Sequence, residues 1–211
     1  MESKYISISV IKRLPRYYRF LGRLKDAGMV RISSRELAER MGLSASQIRQ
    51  DLNCFGGFGQ QGYGYNIEYL QGEIGKILGV DRGFKTVLVG AGNLGHAIAR
   101  HIDFSKRGFD VIGIFDKNET LVGQLIGSVP IRPASALEDF CKENLVEVAI
   151  ICIPYEEAVT TVDSLVECGV KGFWNFSHYN INEKYPNLAV ENVHFNDSLM
   201  TLCYQVMNLD K

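Results

Sequence analysis

Thr86-Val87-Leu88-Val89-Gly90-Ala91-Gly92-Asn93-Leu94-Gly95 is a continuous apolar strand pattern that runs directly into Gly-x-Gly-x-x-Gly and then into a helical pattern. The glycine spacing alone is weak, but between a buried strand and a helix start it specifies a phosphate-binding turn. Gly90 permits the tight bend, Gly92 lets the backbone approach a pyrophosphate, and Gly95 allows helix and strand to touch. The helix supplies unpaired amides and the positive end of its dipole, so Ala91, Asn93 and Leu94 join the glycines as contacts. The following strand ends in Asp116, 21 residues beyond Gly95. A carboxylate there accepts from ribose hydroxyls and repels a 2′-phosphate, which favours NAD(H) over NADP(H). The adjacent Lys117 weakens that preference slightly.

Downstream, strands and helices alternate: a helix over 94–104, a strand over 110–116, a helix near 134–143 and a strand over 146–153. A helix from about 155 to 168 and a strand over 172–176 follow. Apolar strands between helices specify an α/β domain with a parallel sheet covered on both faces. Cys152, Ile153 and Pro154, where the 146–153 strand ends, are expected near a bound ring, although such a cysteine commonly serves as a small buried hydrophobe. The last helix, about 196–209, carries Leu199, Leu202, Val206 and Leu209 along one stripe and needs a partner surface.

Upstream lies a smaller helical region. Leu14, Tyr17, Tyr18, Leu21 and Leu24 recur at helical spacing and stop near Gly28. Ser33-Ser34-Arg35-Glu36 reads as a capping box opening a helix that Gly42 stops. Ser44-Ala45-Ser46-Gln47 reads as a second, opening a helix with Ile48, Leu52 and Phe55 inward. Two short capped helices joined by a glycine-containing turn are the helix-turn-helix pattern. Ser44, Ser46, Gln47, Arg49, Gln50 and Asn53 then offer donors and acceptors to base edges, and Arg13 and Arg16 add basic groups for the backbone. Residues 56–65 are too glycine-rich for a helix and are expected to form a short β-hairpin, a wing. Its Gln61, Gly62, Tyr63 and Gly64 would approach phosphates. Another helix carries Ile67, Leu70, Ile74, Ile77 and Leu78, and the pattern breaks between Gly79 and Gly83.

Charge divides at the same place. Residues 1–80 hold 12 basic against 7 acidic side chains, and residues 81–211 hold 11 against 17, although the whole chain carries only −1. A basic domain joined to an acidic one points to a polyanion for the first. The five cysteines, Cys54, Cys141, Cys152, Cys168 and Cys203, are scattered and contain no C-x-x-C pair. That excludes a disulfide framework and a zinc site and fits a reducing cytoplasm. No stretch approaches the roughly 20 apolar residues of a membrane span, and no signal peptide is visible. The expected divisions are a winged-helix DNA-binding domain over 1–80, a Rossmann dinucleotide-binding domain over 81–194 and a C-terminal dimerisation helix over 195–211.

The combination resembles the Rex family of redox-sensing repressors. The resemblance is carried by Ser46-Gln47-Ile48-Arg49-Gln50-Asp51-Leu52, Phe55-Gly56, Gly62-Tyr63-Gly64-Tyr65 and Val89-Gly90-Ala91-Gly92-Asn93-Leu94-Gly95. Gly169-Val170-Lys171-Gly172 through Asn175-Phe176 and Val190-Glu191-Asn192-Val193 add to it. It implies a homodimer whose C-terminal helix swaps between the partner's two domains. It also implies a palindromic operator in double-stranded DNA, released when NADH closes the Rossmann pair and retained with NAD⁺. By the same match Asn175 belongs to the cofactor site, and Phe195 enters the partner's nicotinamide pocket.

Two departures bear on function. Gln50 and Gln61 stand where the family usually carries basic residues, which is expected to weaken DNA binding and flatten its salt dependence. His101 and His194 stand where a tyrosine and a partner-chain aspartate latch one ligand state, which is expected to make the latch weaker or pH-dependent near neutrality. Two other classes remain open: a repressor of the same build answering another nucleotide such as coenzyme A, and a small NAD-dependent dehydrogenase. The dehydrogenase needs a proton relay, and His101, His178 and His194 are scattered along the chain.

Overall fold

The computed structural model describes residues 6–59 and 63–209. The chain forms two compact units, Met1–Asp81 and Arg82–Lys211. Among the described residues no helix is long and apolar enough to cross a membrane.

The first unit comprises α1 (Ile8–Asp26), β1 (Arg31–Ile32), α2 (Ser34–Met41), α3 (Ala45–Asn53), β2 (Tyr65–Asn66) and α4 (Ile67–Leu78). Its core gathers the inward faces of all four helices, with Leu14, Tyr17, Leu21, Leu37, Ile48, Leu70 and Ile74 fully buried. Local chemistry sets the ends. Ser33 and Glu36 form the expected reciprocal capping box, and Gly42 closes α2 in the left-handed region. At α3 only half of the second box forms: Ser44 Oγ accepts from the Gln47 amide, while the Gln47 side chain turns elsewhere.

Strand β2 pairs antiparallel with β1, Ile32 opposite Tyr65, and the tip of the expected hairpin, residues 60–62, lies outside the described residues. Val30 extends the pairing by accepting from the Ile67 amide at 3.0 Å. Gly64 explains how the chain passes so close: its φ is +69°, and a Cβ there would lie 2.6 Å from the Ile32 carbonyl oxygen.

The second unit is a seven-stranded sheet in the order β5-β6-β4-β3-β7-β8-β9. The strands are β3 (Phe84–Val89), β4 (Phe109–Asp116), β5 (Leu125–Ile126), β6 (Val129–Pro133), β7 (Val148–Ile151), β8 (Gly172–Asn175) and β9 (Ala189–Asn192). All neighbours are parallel except the β5–β6 hairpin. From β6 to β9 this is the doubly wound order 3-2-1-4-5-6, with its switch point between β3 and β7. The helices are α5 (Asn93–His101), α6 (Leu137–Asn144), α7 (Tyr155–Glu167), the single turn α8 (Ile181–Lys184) and α9 (Phe195–Met207). Separate apolar clusters cover the two faces, one around Phe115, Val162 and Phe173, the other around Leu88, Ile98 and Ile150. Strands β5, β6 and β9 carry no apolar strand pattern in the sequence. Pro130 and Pro133 interrupt β6, and β9 is a four-residue edge strand with no fully buried residue.

Helix α9 buries none of its residues. Phe195, Leu199, Met200, Leu202, Tyr204, Val206, Met207 and, just beyond it, Leu209 are 54–77% exposed. Among the described residues the stripe therefore has no cover within its own chain.

Candidate functional site

The C-terminal ends of β3, β4 and β7 meet around the glycine turn. Gly90 has φ +98°, and a Cβ there would lie 2.5 Å from the Cys152 carbonyl oxygen. A Cβ on Gly95 would lie 1.8 Å from the Gly90 carbonyl oxygen, so helix α5 packs on the turn with no room for a methyl group. A Cβ on Gly92, the N-cap of α5, would meet nothing within 4 Å. The open side of the turn therefore faces a cleft of about 230 Å³, lined by Gly90, Gly92, Asp116, Lys117, Cys152, Ile153 and Pro154 together with Phe115, Ala134, Glu157 and Thr161. The crevice outside the strand ends at a switch point is where doubly wound sheets bind nucleotides.

Polar groups around the cleft are engaged with each other. Asp116 Oδ2 accepts from the Ala91 amide at 2.6 Å, and its Oδ1 accepts from the Asn118 amide at 2.7 Å. The carboxylate is thus aimed into the glycine turn. Lys117 Nζ pairs with Glu157 at 2.6 Å, which offsets the positive charge that would otherwise attract a 2′-phosphate. Burial pushes the Cys152 thiol up to about 12, so at neutral pH it lines the cleft as an apolar group and not as a nucleophile. Sequence reasoning missed Glu157 and Thr161, which lie on α7, 40 or more residues from the turn and in no recognisable motif.

Other expected cofactor residues sit differently. Asn93 and Leu94 are exposed on the first turn of α5 and Ala91 is buried beneath it. Asn175 is fully spent within the protein: its Nδ2 donates to Tyr179 O and Asn192 Oδ1, both at 2.8 Å, and its Oδ1 accepts from the Ser177 amide and hydroxyl. These bonds shape the 175–180 loop. His101 is exposed at the end of α5. His194, just before α9, stacks on His178, ring centres 5.7 Å apart and 6° from parallel. Phe195 sits 6.0 Å from Phe176, which in turn contacts Trp174, so an aromatic ladder carries the start of α9.

In the first unit α2 and α3 form the helix-turn-helix. Ser44, Ser46, Arg49, Gln50 and Asn53 lie exposed on the outward side of α3. Arg49 Nη1 donates to Ser34 Oγ at 3.0 Å, which ties it back toward α2. Tyr63 is exposed on the wing, and its carbonyl accepts from Arg31 at 3.2 Å; Gln61 and Gly62 lie outside the described residues. Three expected contacts are occupied. Arg13 places Nε and Nη2 on Asp51 at 2.6 and 2.7 Å, and Gln47 Nε2 donates to the same carboxylate at 2.9 Å. Arg16 donates to the Met41 carbonyl and so braces α1 against the end of α2. These groups brace α1 against α2 and α3.

A winged helix joined to a dinucleotide-binding Rossmann unit defines a class: DNA-binding proteins whose occupancy answers to a nucleotide. The comparisons agree. The family "Putative DNA-binding protein N-terminus" matches residues 5–53, and "CoA binding domain" matches residues 81–179. The redox-sensing transcriptional repressor Rex of Clostridium perfringens is 50% identical over 209 residues, covering 99% of this chain and 98% of the relative. That of Clostridioides difficile is 50% identical over 204 residues, 97% of each. The crystal structure of RSP with NAD⁺ and operator DNA has a TM-score of 0.90 at 48% identity, covering 97% of this chain and 94% of that one. The structure of RSP with NADH has a TM-score of 0.88 at 46% identity over 97% and 95%. The chain belongs to the Rex family of redox-sensing transcriptional repressors, a family of regulators and not of enzymes.

Proposed function

We propose that this chain acts in the cytoplasm as a homodimeric repressor that binds a palindromic operator through α3 and the wing and releases it when NADH fills the Rossmann cleft. The observation that carries the reading is the co-occurrence, in one chain, of the exposed polar face of α3 and the cleft at Gly90–Gly95 with Asp116 aimed into it. The swapped α9 supplies the dimer. Its exposed apolar stripe is covered by the second copy, and Phe195 at its start reaches the partner's nicotinamide pocket. An apolar ring there distinguishes the neutral dihydronicotinamide ring of NADH from the cationic nicotinamide ring of NAD⁺, because burying an unpaired charge is costly. A coupling of about 1–3 kcal/mol between ligand and operator gives roughly 5–150-fold regulation.

The test is fluorescence anisotropy of a labelled family-type palindromic operator, titrated with protein alone and with NAD⁺, NADH or coenzyme A. Release by NADH and retention with NAD⁺ is the expected result. Binding indifferent to both nicotinamides but sensitive to coenzyme A would move the ligand to the class that the second family description names. Absence of binding to this operator and to random duplex at low salt would remove the DNA reading.

A further inference from the structure

Asp51 is a buried carboxylate in a helix that otherwise turns apolar side chains inward. It is 1% exposed and flanked by Ile48 and Leu52, both in the core. Arg13 Nε and Nη2 approach it at 2.6 and 2.7 Å, Tyr17 Oη at 2.7 Å and Gln47 Nε2 at 2.9 Å. The first three donors stand on α1 and the fourth one turn earlier on α3 itself. Burial raises the Asp51 carboxyl, but these donors outweigh it and hold the group below the usual carboxylate range.

Stability does not account for this arrangement, because replacing a buried ion pair by apolar side chains of similar volume is often neutral or stabilising. Direction does. Apolar contacts are non-directional, so α3, only nine residues long, can roll on its core with little resistance. A bidentate fork on a carboxylate fixes distance and azimuth together. Rolling α3 by about 20° moves a side-chain tip about 5–6 Å from the helix axis by roughly 2 Å. That is enough to break a hydrogen bond to a base edge.

We infer that Asp51, held by Arg13, Tyr17 and Gln47, is a positioning residue that sets the azimuth of α3 and with it the base register of Ser46, Arg49, Gln50 and Asn53. The inference rests on the reading of α3 as the recognition helix.

The experiment uses the full-length protein. Wild type and the double variant Arg13→Met/Asp51→Leu are each allowed to select sites from a randomised duplex library. Affinity for the wild-type site and for random duplex is then measured by anisotropy at one salt concentration, alongside thermal unfolding. The double substitution leaves net charge unchanged, so sequence-independent phosphate attraction stays constant. The expected result is a folded variant with wild-type affinity for random duplex and at least a tenfold smaller preference for the selected site. Tyr17→Phe, which removes one donor, is expected to reduce the preference by twofold or more. A folded double variant that discriminates as wild type does would overturn the inference alone. An unfolded one would assign the pair to stability and overturn it as well. If wild type selects no sequence, the recognition-helix reading falls first and carries this inference with it.

Discussion

Gly92 and Gly95 stand three residues apart and answer the same added methyl group in opposite ways. Gly95→Ala would drive a Cβ into the Gly90 carbonyl at 1.8 Å. The Rossmann unit is expected to lose more than about 4 kcal/mol or fail to fold, a cost reserved for severe overpacking. Gly92→Ala meets nothing in the free protein, so its thermal midpoint should stay within about 2 °C of wild type while NADH binds at least tenfold more weakly, about 1.4 kcal/mol. Calorimetry and isothermal titration on the pair separate the two roles; a Gly92→Ala protein that binds NADH normally would place the pyrophosphate elsewhere. The Gly-x-Gly-x-x-Gly turn was legible because strand, spacing and helix appear in the sequence in order. The partners of Asn175, Gln47 and Arg13 were not, because a motif match does not show which neighbour a side chain's hydrogen bonds reach. Asp51 also bears on pH. Its folded carboxyl titrates below the ordinary 3.8, so the unfolded state binds the proton more readily. The stabilisation is present above about pH 4 and is lost as pH falls through the folded value. Melts between pH 3 and 6 should show Asp51→Asn with a flatter acid limb than wild type.

At the scale of elements, the helices were legible and the short strands were not. Capping residues announce α2, α3 and α4 locally, as Ser33, Ser44 and Asn66 do by accepting from amides three residues on. By contrast, β2 finds its partner at Arg31–Ile32, across two helices, and a two-residue strand has no periodicity to read. The wing therefore depends on one close approach. Gly64→Ala combines a left-handed φ with a 2.6 Å contact to the Ile32 carbonyl and is expected to cost about 1–3 kcal/mol. Operator affinity should fall while NADH affinity does not change; equal loss of both would show that the damage spreads beyond the wing. Helix α9 offers the complementary case. Because it buries nothing in its own chain, ending the protein after His194 should leave the Rossmann transition in place. The truncated chain should run as a monomer in light scattering and lose high-affinity operator binding. A truncated protein that remains dimeric would assign the interface to another surface.

Among its described residues the whole molecule keeps three separate apolar clusters, one in the first unit and two in the second, and the units join where Gly79 and Gly83 interrupt the sequence pattern. The charge balance read from the sequence followed the same division, but nothing in either half states how strongly one senses the other. Thermodynamics supplies the constraint. If NADH weakens operator binding by a factor α, operator DNA must weaken NADH binding by the same α, because both describe one coupling free energy. Anisotropy with and without saturating NADH gives the first factor, and NADH titration with and without saturating operator gives the second. For a coupling of about 1–3 kcal/mol both should fall between roughly 5 and 150 and agree with each other. Lowering the salt concentration raises operator affinity in every state through counterion release, yet it should leave α nearly unchanged if both states make the same phosphate contacts. An α that grows as salt is lowered would instead mean that the NADH-bound form has given up phosphate contacts, whereas a constant α would mean that NADH slackens the repressor on its operator without detaching it from the DNA backbone.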